Sequence, residues 1–396
     1  MRYDLIIVGG GLAGSALAKG MAERAARVLV LEREKQFRDR VRGEGMHPWG
    51  VPEARALGIY DALKATCALD VRWWSTYRGS TLIRRRDLME TTPHRAGALN
   101  FYHPAMQEVL LRLAAAAGAE VRRGMTVTRV CPGERATVLL QDDGDAEVLE
   151  ARLVVGGDGR QSQVRHWGGF TIGRDPKCLA ISGVLLAGMK TGDDSVHVFS
   201  PPAFGQAVLL FPLGGGRCRA YFATGRRSEH GRLSGSAHLA DFVARCVESG
   251  VSADWFSGAE VAGPLATFEA ADSWVDNPYK NGVVLAGDAA ASSDPCWGCG
   301  LSLTLRDVRV LRDLLIATDD WQAAACQYAA EHDRYYGALR TITSWLRSVL
   351  YGLGPEADRI RKYALARLAD GSGPDIVGMG PDCPADEAAR IRFLGT

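Results

Sequence analysis

Hydrophobic positions divide the chain into stretches of different period. Leu5-Ile6-Ile7-Val8 is an unbroken apolar run, Leu12 to Arg24 follows a helical period, and Val28 to Leu31 is a second unbroken run. Continuous apolar strands separated by a helix predict parallel strands covered on both faces. The residues from Pro104 to Ala117 predict a helix that stops at Gly118, followed by a strand at Glu120-Val121-Arg122. Leu153-Val154-Val155 is another short buried strand. From about Gly169 the period becomes two: Ser195 to Ser200, Ala207 to Phe211 and Arg217 to Ala223 predict an antiparallel sheet with glycine-rich turns. Val283 to Ala286 returns to the buried parallel type, and the chain beyond Asp319 is helical. In that last part Tyr328, Tyr335, Tyr336, Trp345 and Leu346 form apolar faces expected to serve packing.

Composition narrows the class. The 396 residues suffice for two or three domains. Lys plus Arg number 47 and Asp plus Glu 46, a net charge of +1 that gives no ground for a nucleic-acid partner or an anionic membrane surface. No apolar run reaches the roughly 18 residues of a membrane span. The N-terminus runs straight from a strand into a glycine turn, unlike a signal peptide. Nine scattered cysteines fit a reduced compartment, so a cytoplasmic protein without a disulfide framework is expected. No metal-ligating set is expected.

Chemistry enters through three glycine-rich turns. Gly9-x-Gly11-x-x-Gly14 follows the first strand and opens the first helix, and Glu32 ends the next strand 23 residues beyond Gly9. In that setting Gly9 permits a tight turn, Gly11 lets backbone approach a pyrophosphate, and Gly14 lets helix pack on strand. The helix N-terminus offers N–H groups to phosphate, and Glu32 is placed to accept from a ribose. Gly156-Gly157-Asp158-Gly159 and Gly287-Asp288-Ala289-Ala290 are the second and third turns. The last leads into Asp294-Pro295-Cys296-Trp297-Gly298-Cys299-Gly300-Leu301.

These residues together resemble the class A FAD-dependent monooxygenases, the aromatic hydroxylase-like superfamily related to flavin-dependent halogenases and geranylgeranyl reductases. The resemblance covers about the first 315 residues. It implies FAD as cofactor and NAD(P)H as transient hydride donor. It places Asp288 on the ribityl chain, and Pro295, Gly298, Cys299, Gly300 and Leu301 at the start of a helix aimed at the flavin pyrimidine edge. Asp158 and Gly159 lie in the family's middle motif, with Arg165 beside them. Arg42 in Arg42-Gly43-Glu44-Gly45 would approach the cofactor. His103 stands where many relatives carry arginine or glutamine, so flavin contact and a backbone-bonded helix start are both open for it. Leu12, Ala13, Arg33, Gln107 and Val127 complete the expected cofactor set. The implied architecture is α/β. A Rossmann-like FAD-binding domain (1–75, 95–168 and 275–320) is interrupted by a mainly antiparallel β-sheet substrate domain (76–94 and 169–274). A C-terminal helical region and tail (321–396) follow.

The resemblance places substrate between the β-rich insert and the flavin, where His197, Phe199, Phe211, Tyr221 and Trp297 are the candidate lining. The expected reaction uses NAD(P)H and O2 to hydroxylate or epoxidise a mostly apolar, aromatic or polycyclic small molecule, of the kind met in secondary metabolism. No side chain emerges as a general base. A halogenase would carry Trp-x-Trp-x-Ile-Pro, and Leu209-Leu210-Phe211-Pro212-Leu213 keeps only the proline. A double-bond reductase of the geranylgeranyl type is an alternative, as is a non-catalytic FAD-bound protein. A flavin/dithiol oxidoreductase is a further one, because Cys296-Trp297-Gly298-Cys299 is a C-x-x-C at a helix start, where a thiol pKa falls. Among catalytic candidates, then, stand Trp297, Cys296 and Cys299. Segment 371–384, rich in glycine and proline, is expected to hold no stable element and to lie over the substrate entrance. Monomer and homodimer both stay open, as does a substrate tethered to a carrier protein.

Overall fold

A computed structural model describes residues 2–41, 43–142, 145–177, 179–225 and 232–395. Its first sheet is the parallel one the apolar runs predict. Strands Val283–Leu285, Asp145–Gly156, Arg2–Val8, Val28–Glu32 and Glu120–Arg123 lie side by side in that order, all parallel. Tyr279–Lys280 is added antiparallel at one edge. The Leu12–Ala22, His103–Ala116 and Gly300–Ala317 helices cover one face, packing on Leu5, Ile7, Val28 and Val30. On the other face Tyr3, Ile6 and Val154 are buried beneath the Thr126–Cys131 and Ala136–Asp142 strands.

A second sheet runs Leu179–Ala187, Arg217–Gly225, Gln206–Gly214, Ser195–Ser200, Trp73–Arg78 and Thr81–Asp87. Every pair is antiparallel except Ser195–Ser200 with Trp73–Arg78, which run parallel. The boundary expected between residues 75 and 76 therefore falls inside a strand, because the insert sheet begins at Trp73. A small three-stranded sheet, Gly45–Met46 with Ala98–Phe101 and Ala68–Val71, bridges the two.

Helices Trp321–Leu350 and Pro355–Asp370 follow, and beyond segment 371–384 the C-terminal region forms a further helix, Glu387–Leu394. Segment 371–384 holds only the short turn Gly380–Asp382, and it is anchored. A side chain at Gly380 would meet the Trp49 ring at 2.3 Å. Asp375 accepts two 2.6 Å hydrogen bonds from Arg86, and Asp382 pairs with Arg306 at 2.8 and 2.9 Å. Among the described residues no helix is long and apolar enough to cross a membrane.

Candidate flavin and substrate site

The first two glycine turns interlock. Gly9 has φ +103°, and a Cβ there would lie 2.5 Å from the Gly157 carbonyl oxygen. A Cβ at Gly14 would lie 1.9 Å from the Gly9 carbonyl oxygen, so the helix rests directly on the turn. Leu12 and Ala13 are buried in the helix's first turn, and its N-cap, Gly11, brings no side-chain cap. The N-terminal amides are thus open to an anion. Glu32 is buried and fixed: Oε2 accepts from Gly10 N at 2.7 Å and Oε1 from Glu34 N at 2.8 Å. Each oxygen keeps a second acceptor direction. Gln107 Nε2 lies 3.5 Å from where a Gly11 Cβ would stand, which puts it at the same turn. Arg33 is exposed beside Glu34, and Val127 packs against the core under the sheet. His103 Nδ1 donates to Gly43 O at 2.9 Å. Arg42 lies outside the described residues.

Asp158 is tied to its own loop, accepting from Ser162 Oγ at 2.6 Å, Gln163 N at 2.7 Å and Val164 N at 3.1 Å. Burial raises its pKa against these bonds. Arg165 is buried, donating to Ala289 O at 3.1 Å and Arg160 O at 2.8 Å, so it splices the middle turn to the third one. Gly159 lies in that middle turn with open space around it.

The third turn is held from behind. Gly287 N donates to Asp307 Oδ2 at 2.8 Å, and Asp307 Oδ1 accepts from His332 Nδ1 at 3.0 Å and from Tyr335 OH. Tyr328 OH donates to Leu285 O at 2.9 Å. These tyrosines therefore do more than pack, and the Trp321–Leu350 helix works as a clamp on the turn. Asp288 is half-buried and caps no helix, and its carboxylate acts electrostatically on Arg165. Asp294 accepts from Cys296 N at 3.0 Å, Pro295 opens a short helical turn, and Gly298 reverses it at φ +66°. Helix Gly300–Ala317 then starts without a side-chain cap from Cys299, with Leu301 in its first turn. His47, which no sequence pattern singled out, bonds through Nε2 to Trp297 O at 2.7 Å. A carbonyl only accepts and burial lowers the His47 pKa, so a neutral imidazole with its proton on Nε2 braces this loop.

The face of the second sheet toward this loop is apolar. Val196, Leu209, Phe211, Tyr221 and Ala223 form one cluster with Cys296. Here two expectations need correction. His197 and Phe199 alternate with Val196 and Val198 and face away, His197 edge-on to Trp255 and Phe199 stacked on Tyr77 at 4.2 Å. They belong to the packing of the sheet's outer face, because a strand sends successive side chains to opposite sides.

The FAD binding domain family matches residues 2–334. The chain belongs to this family. Its members include FAD-dependent oxidoreductases, and this FAD binding domain protein is one, with FAD as cofactor and NAD(P)H the donor typical of the family. Among curated proteins it is 26% identical over 326 residues to a digeranylgeranylglycerophospholipid reductase of Methanosarcina mazei, covering 76% of this chain and 72% of that protein. It is 28% identical over 332 residues to a rifampicin monooxygenase of Streptomyces venezuelae, covering 81% of this chain and 65% of that protein. The structure of p-nitrophenol 4-monooxygenase PnpA from Pseudomonas putida superposes with a TM-score of 0.79 at 18% identity, over 95% of each chain, a likeness of fold.

The residues present fit FAD. The Gly9 and Gly14 turn closes so tightly that it is bare backbone, and the Leu12–Ala22 and Gly300–Ala317 helices both start without a side-chain cap, which leaves N–H groups for the cofactor's anionic and polar atoms. The cysteines of the FAD binding domain protein correct a further expectation. Both thiols have pKa values well above the usual range, because burial outweighs the helix start. Cys296 faces the substrate-side cluster, whereas Cys299 packs with Trp49 and Tyr335, and both are free thiols. Anaerobic titration with NADPH is expected to bleach the flavin at one equivalent, unchanged in Cys299→Ser. A second equivalent that disappears in the variant would restore the dithiol reading.

Proposed function

We propose that the protein is a monooxygenase that uses NAD(P)H and O2 to hydroxylate or epoxidise a mostly apolar small molecule. The observation that carries this reading is the apolar wall of Leu209, Phe211, Tyr221 and Ala223 closing on Cys296 at the start of the Gly300–Ala317 helix. In this reading Gly9, Gly11, Leu12, Ala13 and Gly14 hold the pyrophosphate at the first helix N-terminus, and Glu32 accepts from the ribose. Asp288 takes the ribityl chain. Pro295, Gly298, Gly300 and Leu301 set the second helix N-terminus toward the pyrimidine edge, where its dipole favours developing negative charge. When bound, FAD supplies hydride acceptance and oxygen activation. The chain's own contribution is to bind, orient and keep water out. Phe211 supplies flat apolar surface for substrate, whereas Trp297, expected there, is instead packed with Trp49, Tyr335 and Tyr336 and edge-on to Tyr351, and its buried Nε1 has no hydrogen-bond partner among the described residues.

Oxygen uptake by the FAD-loaded protein with NADPH is the test, run against a panel of aromatic and polycyclic compounds. Uptake stimulated by a compound that gains one oxygen atom is the expected result. The similarity to the Methanosarcina reductase favours a second reading, saturation of an isoprenoid double bond. Product gaining two hydrogens under anaerobic conditions, with no oxygen-containing product in air, would replace the first reading by that one.

A further inference from the structure

Between the cofactor sheet and the substrate sheet lies a buried charged cluster that neither the glycine turns nor the apolar wall requires. Glu44 comes from the loop after the second strand and is 2% exposed, and Arg219 and Tyr221 come from the Arg217–Gly225 strand. Tyr221 OH donates to Glu44 Oε2. Arg219 Nη2 donates to both oxygens of Asp39, at 2.8 and 2.7 Å, so the guanidinium is committed mainly to that carboxylate. Glu44 Oε1 stands 3.1 Å from Arg219 Nε, outside hydrogen-bond alignment. Among the described residues, this cluster therefore sets one guanidinium against two carboxylates. Burial of the second negative charge is costly, and it pushes the Glu44 carboxyl up toward neutral pH against Arg219 and the Tyr221 hydrogen bond.

The location gives the Glu44 proton a use. Gly43, next to Glu44, lies so that its absent Cβ would sit 3.5 Å from Leu301 Cδ2, at the second helix N-terminus. Tyr221 stands on the apolar wall, its ring edge-on to Phe211 at 6.1 Å. Arg219 Nη1, 0% exposed by residue, has no partner among the described residues, so the cluster's hydrogen bonding is incomplete within the protein.

We propose that Glu44 and Tyr221 form a proton relay at the boundary between flavin and substrate. Tyr221 is the catalytic member that touches substrate, and Glu44 is a proton-holding, positioning residue acting through it. In the donating direction the Tyr221 O–H breaks as a bond forms between its proton and a basic substrate atom, while the Glu44 proton moves to the Tyr221 oxygen. The reverse direction takes a proton from a substrate hydroxyl and returns one to Glu44. No electrons are exchanged. The charged and titratable groups acting on Glu44 are Arg219 and Tyr221 on the sheet and Asp39 on its own loop, with Tyr102 coupled to it more weakly. Burial pushes the Glu44 carboxyl up to about 7 against Arg219 and the Tyr221 hydrogen bond, within the range where a relay works at neutral pH.

The relay rests on the substrate position given under Proposed function, and its first test needs no substrate. Infrared difference titration of the FAD-loaded protein between about pH 5 and 9 reads the protonated carboxyl band. The expected result is a band lost with a midpoint near neutral pH, absent in Glu44→Gln, and moved upward by about one pH unit in Tyr221→Phe, which removes a donor to the carboxylate. Asp272, pushed up to about 6 by burial, contributes a second band that Glu44→Gln leaves in place. No neutral-range band sensitive to Glu44→Gln, or a midpoint indifferent to Tyr221→Phe, overturns the relay. With a substrate from the oxygen-uptake panel, both variants are expected to lose at least about 100-fold in kcat with KM nearly constant. Loss confined to KM overturns it as well. A panel that yields no turnover counts against the monooxygenase reading alone, and the titration then decides the relay.

Discussion

Gly14→Ala is expected to purify without flavin. An added Cβ would lie 1.9 Å from the Gly9 carbonyl oxygen and 2.9 Å from Ile7 Cγ2, and neither neighbour can yield. The first is backbone of the turn itself, and the second lies on a strand in the middle of the cofactor sheet. The Leu12–Ala22 helix would have to lift off that strand, taking its N-terminal amides away from the pyrophosphate position. Overpacking of this kind costs about 3 kcal/mol or more. The ratio of flavin to protein absorbance after purification and the thermal unfolding midpoint are the measurements. A variant that retains stoichiometric flavin would mean that helix and turn are not in the contact described, and the assignment of this turn to the pyrophosphate would fall with it.

Arg219→Met is expected to destabilise the fold by about 3–5 kcal/mol at neutral pH, because it removes the buried guanidinium that pairs with Asp39 and offsets the burial cost of the Glu44 carboxylate. The pH dependence has a definite sign. Glu44 has its folded-state pKa raised from 4.5 to about 7, so its contribution to stability is complete below about pH 4.5 and is lost as pH rises through about 7. Arg219 opposes that rise, so without it the carboxyl titrates higher still and the loss extends to more alkaline pH. The gap between wild type and variant should accordingly widen above about pH 7. Denaturant unfolding at a series of pH values measures it. A gap that stays constant with pH would show that Glu44 and Arg219 are not electrostatically coupled.

Much of the architecture could be read from the chain. Unbroken runs such as Leu5 to Val8 and Val283 to Leu285 marked the parallel sheet, because a strand covered on both faces has no polar side to show. Gly9 and Gly14 marked the first turn, since backbone of that conformation and closeness excludes a side chain. The FAD binding domain family and its cofactor were within reach for the same reason: three backbone-determined turns occur in a definite order.

Other features depended on distance in space. Alternation along Ser195 to Ser200 established that one set of side chains faces in, but not which set. The register against Trp73–Arg78 and Gln206–Gly214 turned His197 and Phe199 outward. The Cys296 and Cys299 thiols showed a helix start in the sequence, yet their pKa is governed by burial, which needs the packed neighbours. The clamp of Asp307, His332 and Tyr335 on Gly287, the brace from His47 to Trp297, and the meeting of Asp39, Glu44, Arg219 and Tyr221 have no spacing that announces them. Local backbone demands leave their mark on single residues, and these were visible in the amino-acid order. Charge balance, side-chain facing and protonation depend on groups far apart along the chain, 250 residues for His47 and Trp297 and 289 for Arg86 and Asp375, and they came into being only when the chain packed.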